Sequence, residues 1–130
     1  MTKVLLDTDV AAVVGVVDDA VATFTNKRIQ VRISSSASGD ITPTKVNFDR
    51  YIRTAQAAAI TISNPTMDIG EVMAVQLTDN ATARAITFGS HYMALDGLAL
   101  PTTTTISKVM TMVLEKVTAT KVLVSYVNEA

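Results

Sequence analysis

Short runs of alternating apolar and polar residues, separated by turn-forming residues, constrain this chain more than any other feature. The two clearest runs are Lys108–Lys116 and Lys121–Val127, which flank a predicted turn at 117–120. Because successive side chains of a strand point to opposite faces, each run predicts a strand with one buried face. Weaker runs of the same kind occupy 28–33, 58–63, 70–78 and 83–88.

The spacing of these runs predicts an all-β domain over residues 28–130, an antiparallel β-sandwich or jelly-roll-like fold. Val, Ile and Thr recur throughout, and such β-branched residues suit a pleated surface. We predict that 70–78 and 83–88 form a hairpin across a turn at 79–82. The intervening polar or irregular stretches predict a turn or loop at Ser34–Asp40 and a longer loop at Gly89–Pro101.

Several side chains are candidates for the core. In the stretch before residue 53 these are Val46, Phe48 and Ile52. Met110 and Met112 stand two apart on one predicted strand, so they share a face that either fills the core or forms a contact surface. In 70–78 the alternation divides the apolar residues between the two faces of the predicted strand. We place Val72, Ala74 and Leu77 on one face and Met73 and Val75 on the other.

The N-terminal segment 1–27 has a different pattern and is predicted to be a short arm. A helix is indicated by apolar residues spaced by three, four and seven. A buried strand over 10–17 is the competing interpretation, since Val and Gly are poor helix formers. An isolated helix of this length is marginal in water, so it would have to pack on a partner or on its own copies. The residues that we expect to make this oligomer or capsid contact are Val10, Val13, Val14, Val17, Val21 and Phe24.

Composition excludes several classes of partner and site. The formal net charge is −1, so nucleic acid and anionic membranes are poor partners. No apolar run approaches the roughly 20 residues of a membrane span. The start carries Asp7 and Asp9 before its apolar stretch, which is unlike a signal peptide, and we expect the mature chain to begin at or near Met1. The chain has no cysteine and hence no disulfide or thiolate metal site.

The sequence contains no motif that indicates a catalytic, metal or cofactor site. His91 is the only histidine and is interpreted as a loop residue beside Tyr92. The close acid pairs flank apolar segments or sit at turns without a calcium-loop motif, and no glycine-rich phosphate loop occurs. We interpret the basic side chains near Tyr51 as solvated or ion-paired. The acid pairs are Asp7/Asp9, Asp18/Asp19 and Asp68/Glu71, and the basic residues are Arg28, Arg32, Arg50 and Arg53.

Four stretches, in order, resemble structural proteins of the phage virion, of the tail-fibre and head-decoration type. Thr25–Ile29 reads Thr-Asn-Lys-Arg-Ile, and 57–65 is an Ala-rich strand that ends at a proline turn. Asp79–Gly89 is similar to their Asp-Asn-Gly-Thr-Ala-Arg-Thr-Leu-Thr-Trp stretch, and Leu100–Thr105 is similar to their Leu-Pro-Thr-Thr-Thr tract. The resemblance spans about 24–127 and leaves the first 23 residues unmatched.

Two departures from the family pattern bear on the predicted turn and core. Ala81 stands where the family has a turn glycine, which indicates a hairpin of a different type. Phe88 stands where the family has tryptophan, which we interpret as a smaller core aromatic.

The resemblance implies a β-sandwich or jelly-roll module of the phage particle, commonly trimeric, with no enzymatic activity and no cofactor. We expect a capsid decoration (cement) or head-fibre protein, made in the host cytoplasm and placed on the capsid surface. Its expected partners are the major capsid protein and copies of itself, as a homotrimer. A tail, tail-fibre or baseplate component is the first alternative. A carbohydrate-binding adhesion module is the second, although the chain offers no Trp and three Tyr for sugar stacking.

Overall fold

The computed structural model of the chain describes residues 30–130, and all its regular elements there are strands. The predicted arm 1–27, with its apolar stripe, lies outside these residues. No helix of membrane-spanning length and apolarity occurs within 30–130. The strands are β1 (Ile33–Ser36), β2 (Arg50–Gln56), β3 (Ile60–Ile62), β4 (Val72–Asp79), β5 (Ile86–Phe88), β6 (Tyr92–Ala94), β7 (Met110–Thr118) and β8 (Lys121–Asn128).

Six of these strands form one mixed sheet, and the other two form a small parallel pair. The order in the large sheet is β1-β2-β4-β7-β8-β6, and the small sheet is β3-β5. The all-β prediction is confirmed for the described residues. The prediction of antiparallel pairing holds only for β4–β7 and β7–β8, and it is wrong for β1–β2, β2–β4, β6–β8 and β3–β5, which are parallel.

The hairpin of β7 and β8 follows the sequence prediction closely. The register runs from Met110 opposite Asn128 to Thr118 opposite Lys121, so the strands turn over Ala119 and Thr120. Buried and more exposed residues alternate over Met110–Glu115 in β7 and Lys121–Ser125 in β8. The register shifts between Lys116 and Thr118, and a two-residue connection suffices for antiparallel neighbours. Local sequence therefore determines this pair.

The predicted hairpin between 70–78 and 83–88 is wrong. β4 pairs with β2 on one side and β7 on the other, whereas β5 pairs with β3. The chain leaves the large sheet after Asp79, which is the last residue of β4 and is buried. Because β2 and β7 occupy the two edges of β4, no edge of β4 remains for β5.

Two stretches that were predicted to be loops contain edge strands of the large sheet. Ser34–Ser36, within the predicted turn 34–40, extends β1 alongside β2, whereas the predicted strand 28–33 contributes only Ile33 among its described residues. Tyr92–Ala94, within the predicted loop 89–101, forms β6 alongside β8. A parallel neighbour joined by a long connection, such as 37–49, leaves no local sequence signal.

The buried residues of both sheets belong to one hydrophobic cluster. The alternation predicted around Ile60 and Ile62 is confirmed, since both are fully buried. Met110 and Met112 also fill this core. In β4 the buried face carries Leu77 with Met73 and Val75, so the grouping of Leu77 with Val72 and Ala74 is wrong.

Of the three core candidates before residue 53, Phe48 packs against the cluster and Ile52 is half-buried. Val46 is 73% exposed, and its assignment to the core is wrong. Val46 lies in the connection before β2, where the period of two does not apply.

Candidate functional site

The large sheet has one face packed into the core and a second face whose side chains stay exposed or half-exposed. We call this second face the outer face. Along β7, for example, Met112 is fully buried while its neighbour Val113 is 40% exposed. The outer face consists of Ile33, Ser35, Arg50, Ile52, Thr54, Val72, Ala74, Gln76, Thr78, Met93, Thr111, Val113, Glu115, Lys121, Leu123, Ser125 and Val127.

The strand register arranges the outer face in rows that cross the sheet. The central row runs through Ile33, Arg50, Ala74, Val113 and Ser125 on five neighbouring strands. Three of these five residues are apolar, and exposed apolar residues grouped on one face mark an interaction site more often than scattered ones do. The next row along the sheet contains Val72, Glu115, Leu123 and Met93.

Two charges of opposite sign lie in the middle of this face, and Lys121 lies on the same face at the start of β8. Arg50 is on β2 and Glu115 is on β7, the two strands that flank β4. Within residues 30–130 neither side chain forms a salt bridge. Two unpaired charges on an apolar face give it electrostatic specificity for a partner that supplies the complementary groups.

Asp79 forms a buried polar network that joins two connections of the fold, the one between β4 and β5 and the one between β6 and β7. Its Oδ1 accepts the N–H groups of Ala81 and Ser107, both at 3.0 Å, and its Oδ2 accepts the Thr104 hydroxyl at 2.7 Å. The Thr104 hydroxyl in turn accepts the Arg84 N–H at 2.8 Å. Burial alone would raise the pKa of Asp79, but these hydrogen bonds outweigh burial and hold the pKa below its ordinary value.

The donors to Asp79 come from residues in an uncommon backbone conformation. Ala81 has a φ of 68° and Ser107 a φ of 58°, both in the left-handed region that disfavours residues with a Cβ. The carboxylate therefore holds two strained turns in place. This is a structural role, since the Asp79 side chain is almost fully buried.

Arg53 is the second charged side chain in the interior. It is 7% exposed and donates to the carbonyl oxygens of Gly39, Asp40 and Ile52 at 2.9 to 3.1 Å. Desolvation lowers the pKa of the guanidinium below its ordinary value. The interpretation of Arg53 as solvated or ion-paired is wrong, because carbonyl oxygens satisfy it inside the fold.

Arg32 and Lys45 both pair with Asp49, as the ion-pair interpretation of Arg32 predicts. Arg32 contacts both carboxylate oxygens of Asp49, and Lys45 Nζ lies 2.9 Å from Oδ1. The Arg32 hydrogen bonds and the Lys45 contact hold the pKa of Asp49 well below its usual range. The pair stabilises the connection before β2, and neither cation is free for an external anion.

His91 lies at the start of β6 and is held through its backbone. Its N–H donates to Asn64 Oδ1 at 2.9 Å, and its carbonyl accepts the Val122 N–H. Its Nδ1 is buried and has no hydrogen-bond partner among the described residues. The adjacent Tyr92 hydroxyl donates to the Ser63 carbonyl, and burial raises the pKa of that phenol. No carboxylate within 30–130 orients the ring, as a Ser-His-Asp triad would require.

The acidic pair Asp68/Glu71 lines an open groove together with Lys45 and Lys116. Glu71 folds back to accept the Asp68 N–H, and Lys45 donates to the Val72 carbonyl. Among residues 30–130 no group of three or more His, Cys, Asp or Glu side chains is placed to hold a metal ion. The groove mixes both charge signs without converging on one ligand type.

The predicted contact residues of the arm, from Val10 to Phe24, lie outside the described residues, as do the acid pairs Asp7/Asp9 and Asp18/Asp19. Sequence reasoning missed Arg50 and Glu115 as outer-face charges. The alternation of β2 and β7 indicates that both face away from the core, but only the register places them on either side of β4. Tyr126 is the only exposed tyrosine of the three.

Comparison with protein-family models, with curated proteins and with solved structures gives no significant match.

Proposed function

We propose that this chain is a structural protein of a bacteriophage particle, a capsid decoration or head-fibre protein on the capsid surface. The proposed action is passive. The domain docks on the major capsid protein, and buried apolar area combined with multivalent attachment stabilises the shell. In this proposal the small β3–β5 sheet is the second layer of a sandwich-like domain, and residues 10–24 anchor the chain or bring it together as a homotrimer.

The observation that carries this proposal is the way in which two stretches of the virion-protein resemblance meet. Asp79, Ala81 and Arg84 come from the stretch 79–89, and Thr104 comes from the stretch 100–105. The two stretches meet in the buried network at Asp79, with hydrogen bonds of 2.7 and 2.8 Å. Residues that fix connections are those that a shared fold would keep, so this contact supports a resemblance at the level of fold.

A binding experiment on capsids tests the proposal. Purified chain should co-sediment with shells assembled from the major capsid protein and raise the temperature at which those shells lose integrity. Deleting residues 1–24 should abolish capsid binding or trimerisation, and circular dichroism should confirm that the truncated protein retains its strands. A truncated protein that still binds shells and still trimerises would contradict the role of the arm.

A tail or baseplate position is the alternative that the same fold allows. A cryo-EM map of the intact particle distinguishes the two locations, because density for the chain would lie either on the shell or along the tail. Density on the tail would overturn the decoration role and retain the structural one. A glycan array tests the adhesion alternative, for which Tyr126 is the only exposed tyrosine.

A further inference from the structure

We propose that the outer face is an interface with a second copy of this chain, related by a two-fold axis that runs parallel to β4. In this arrangement Arg50 of each copy pairs with Glu115 of the other. The contact is separate from the one proposed for residues 10–24 and does not depend on where the protein lies in a virion.

The positions of the two charges point to this symmetry. β2 and β7 lie on the two sides of β4, so a two-fold axis above β4 places β2 of one copy over β7 of the other. Arg50 then faces β7 one row away from Glu115, because their rows are two residues apart along β4 at Ala74 and Val72. Sheets packed face to face lie about 10 Å apart and two residues span about 7 Å, so the two Cα atoms would be about 12 Å apart, a distance that an arginine and a glutamate side chain bridge together. Arg50 and Glu115 would thus pair with each other at two symmetric positions of one interface.

The apolar residues fit the same axis. Val72 and Ala74 lie on β4, so each would meet its own copy at the centre of the interface. Val113 on β7 and Ile52 on β2 flank them, and Leu123 on β8 lies beyond β7. An apolar centre with charged groups around it is the usual anatomy of a specific interface, and an isologous contact of one patch with itself closes after two copies.

The size of the face reaches the lower limit for a specific pair. The five strands centred on β4, in sheet order from β1 to β8, are 4, 7, 8, 9 and 8 residues long. With about 3.3 Å per residue along a strand and about 4.8 Å between strands, the face spans roughly 600 Å². Two copies would bury on the order of 1,000 Å² in total, which is the lower bound for specific interfaces.

The experiment uses the full chain and two charge reversals, Arg50→Glu and Glu115→Arg. Sedimentation velocity should give the parent protein twice the mass of either variant, because each reversal places like charges opposite one another at two symmetric positions. We expect the dissociation constant of the pair to rise about tenfold or more. The double variant restores both ion pairs with opposite polarity and should regain the parent mass.

A mixture of the two single variants provides a further test. The glutamate introduced by Arg50→Glu would face the arginine introduced by Glu115→Arg, and the two unchanged side chains, Arg50 and Glu115, would face each other. The mixed pair should therefore form although neither variant pairs alone, and this result would also show that both variants are folded. Asp96→Arg, which reverses a charge in an exposed turn after β6, is the matched control and should leave the mass unchanged.

Three results would overturn the inference. The first is a parent protein with no mass above that of the variants across a wide concentration range. The second is an unchanged mass in both single variants. The third is loss of pairing in the single variants without recovery in the double variant or in the mixture. If residues 10–24 form a trimer, the charge-reversed variants should remain trimers, whereas the parent should be a closed dihedral assembly of two trimers. Loss of the outer-face contact and loss of the trimer contact would therefore give different masses.

Discussion

Asp79 carries a charge into a part of the fold from which water is largely excluded, and hydrogen bonds compensate for that burial. Three donors reach its two oxygens, and two of these donors are backbone N–H groups of residues with positive φ. Removing the charge leaves donors that face a weaker acceptor. The carboxylate is therefore the residue on which the conformation of two turns depends.

We expect Asp79→Asn to lower the free energy of unfolding by about 2 kcal/mol at neutral pH. Because the pKa of Asp79 is lower in the folded than in the unfolded state, its contribution is complete above the unfolded pKa of about 3.9. It is lost as the pH falls through the folded value. Urea unfolding from pH 7 downward, with ~1 pH-unit steps, should thus show the difference between variant and parent shrinking in acid.

Asp49 also has a low pKa but is present in both proteins, so the shrinking difference reports Asp79 alone. A difference that stays constant at every pH would contradict a role for the charge and would assign the loss to packing. Asp96→Asn, in an exposed turn, is the control and should leave the stability within about 0.5 kcal/mol of the parent.

Ala81 has a φ of 68°, which lies in the left-handed region that glycine adopts without strain. A left-handed conformation costs a residue with a Cβ about 1 kcal/mol, whereas glycine loses more chain entropy on folding. We expect Ala81→Gly to raise the free energy of unfolding by about 0.5 kcal/mol. Ala83→Gly, two residues on and without a positive φ, should be neutral or destabilising in the same thermal unfolding measurement. An equal effect of both changes would contradict relief of strain.

At the scale of elements, the sequence predicts what each strand buries better than which strand it pairs with. The alternation identifies the buried faces of β3 and β7, and the predicted turn at 117–120 identifies the β7–β8 hairpin, although β7 extends to Thr118. The pairing of β5 with β3 instead of β4 has no local signal, because a parallel neighbour is reached through a long connection. The serines of β1 also lack strand propensity, and β2 holds them in the sheet through the backbone ladder.

The β3–β5 pair depends on a close approach at Gly89. A Cβ at this position would lie 2.3 Å from Asn64 Oδ1 and 2.7 Å from the Asn64 backbone nitrogen. Gly89 also donates its N–H to the Ile62 carbonyl at the end of the pair, and Asn64 accepts the His91 N–H. A side chain at residue 89 would thus displace both the end of β3 and the start of β6.

We expect Gly89→Ala to lower the free energy of unfolding by about 2 kcal/mol and to speed amide hydrogen exchange in β3, β5 and β6. Exchange in the β7–β8 hairpin should change only as much as the global stability does. Ser90→Ala, which removes only a 3.3 Å hydrogen bond from Asn64, is the adjacent control and should have a small effect. Uniform loss of protection over all strands would contradict a local role for Gly89.

At the scale of the whole molecule, the two faces of the large sheet have different environments. The inner face contributes to the single hydrophobic cluster, whereas the outer face stays exposed or half-exposed and carries Arg50 and Glu115, which lack an ion pair within the described residues. Composition gives no hint of this difference, because Val and Met occur on both faces. Of two neighbouring residues on one strand, one therefore contributes to folding and the other is available for association.

Met112 and Val113 provide this separation on β7. Met112 is fully buried, so we expect Met112→Ala to lower the free energy of unfolding by about 3 kcal/mol, the usual cost of a cavity. Val113→Ser changes a side chain on the outer face and should alter the stability of the isolated chain by less than about 1 kcal/mol. If copies pair through the outer face, Val113→Ser should instead raise the dissociation constant of the pair about tenfold, whereas folded Met112→Ala should pair as the parent does. Urea unfolding at low protein concentration and sedimentation over a concentration series measure the two effects independently. Equal effects of both variants on association would contradict the assignment of folding to one face and pairing to the other.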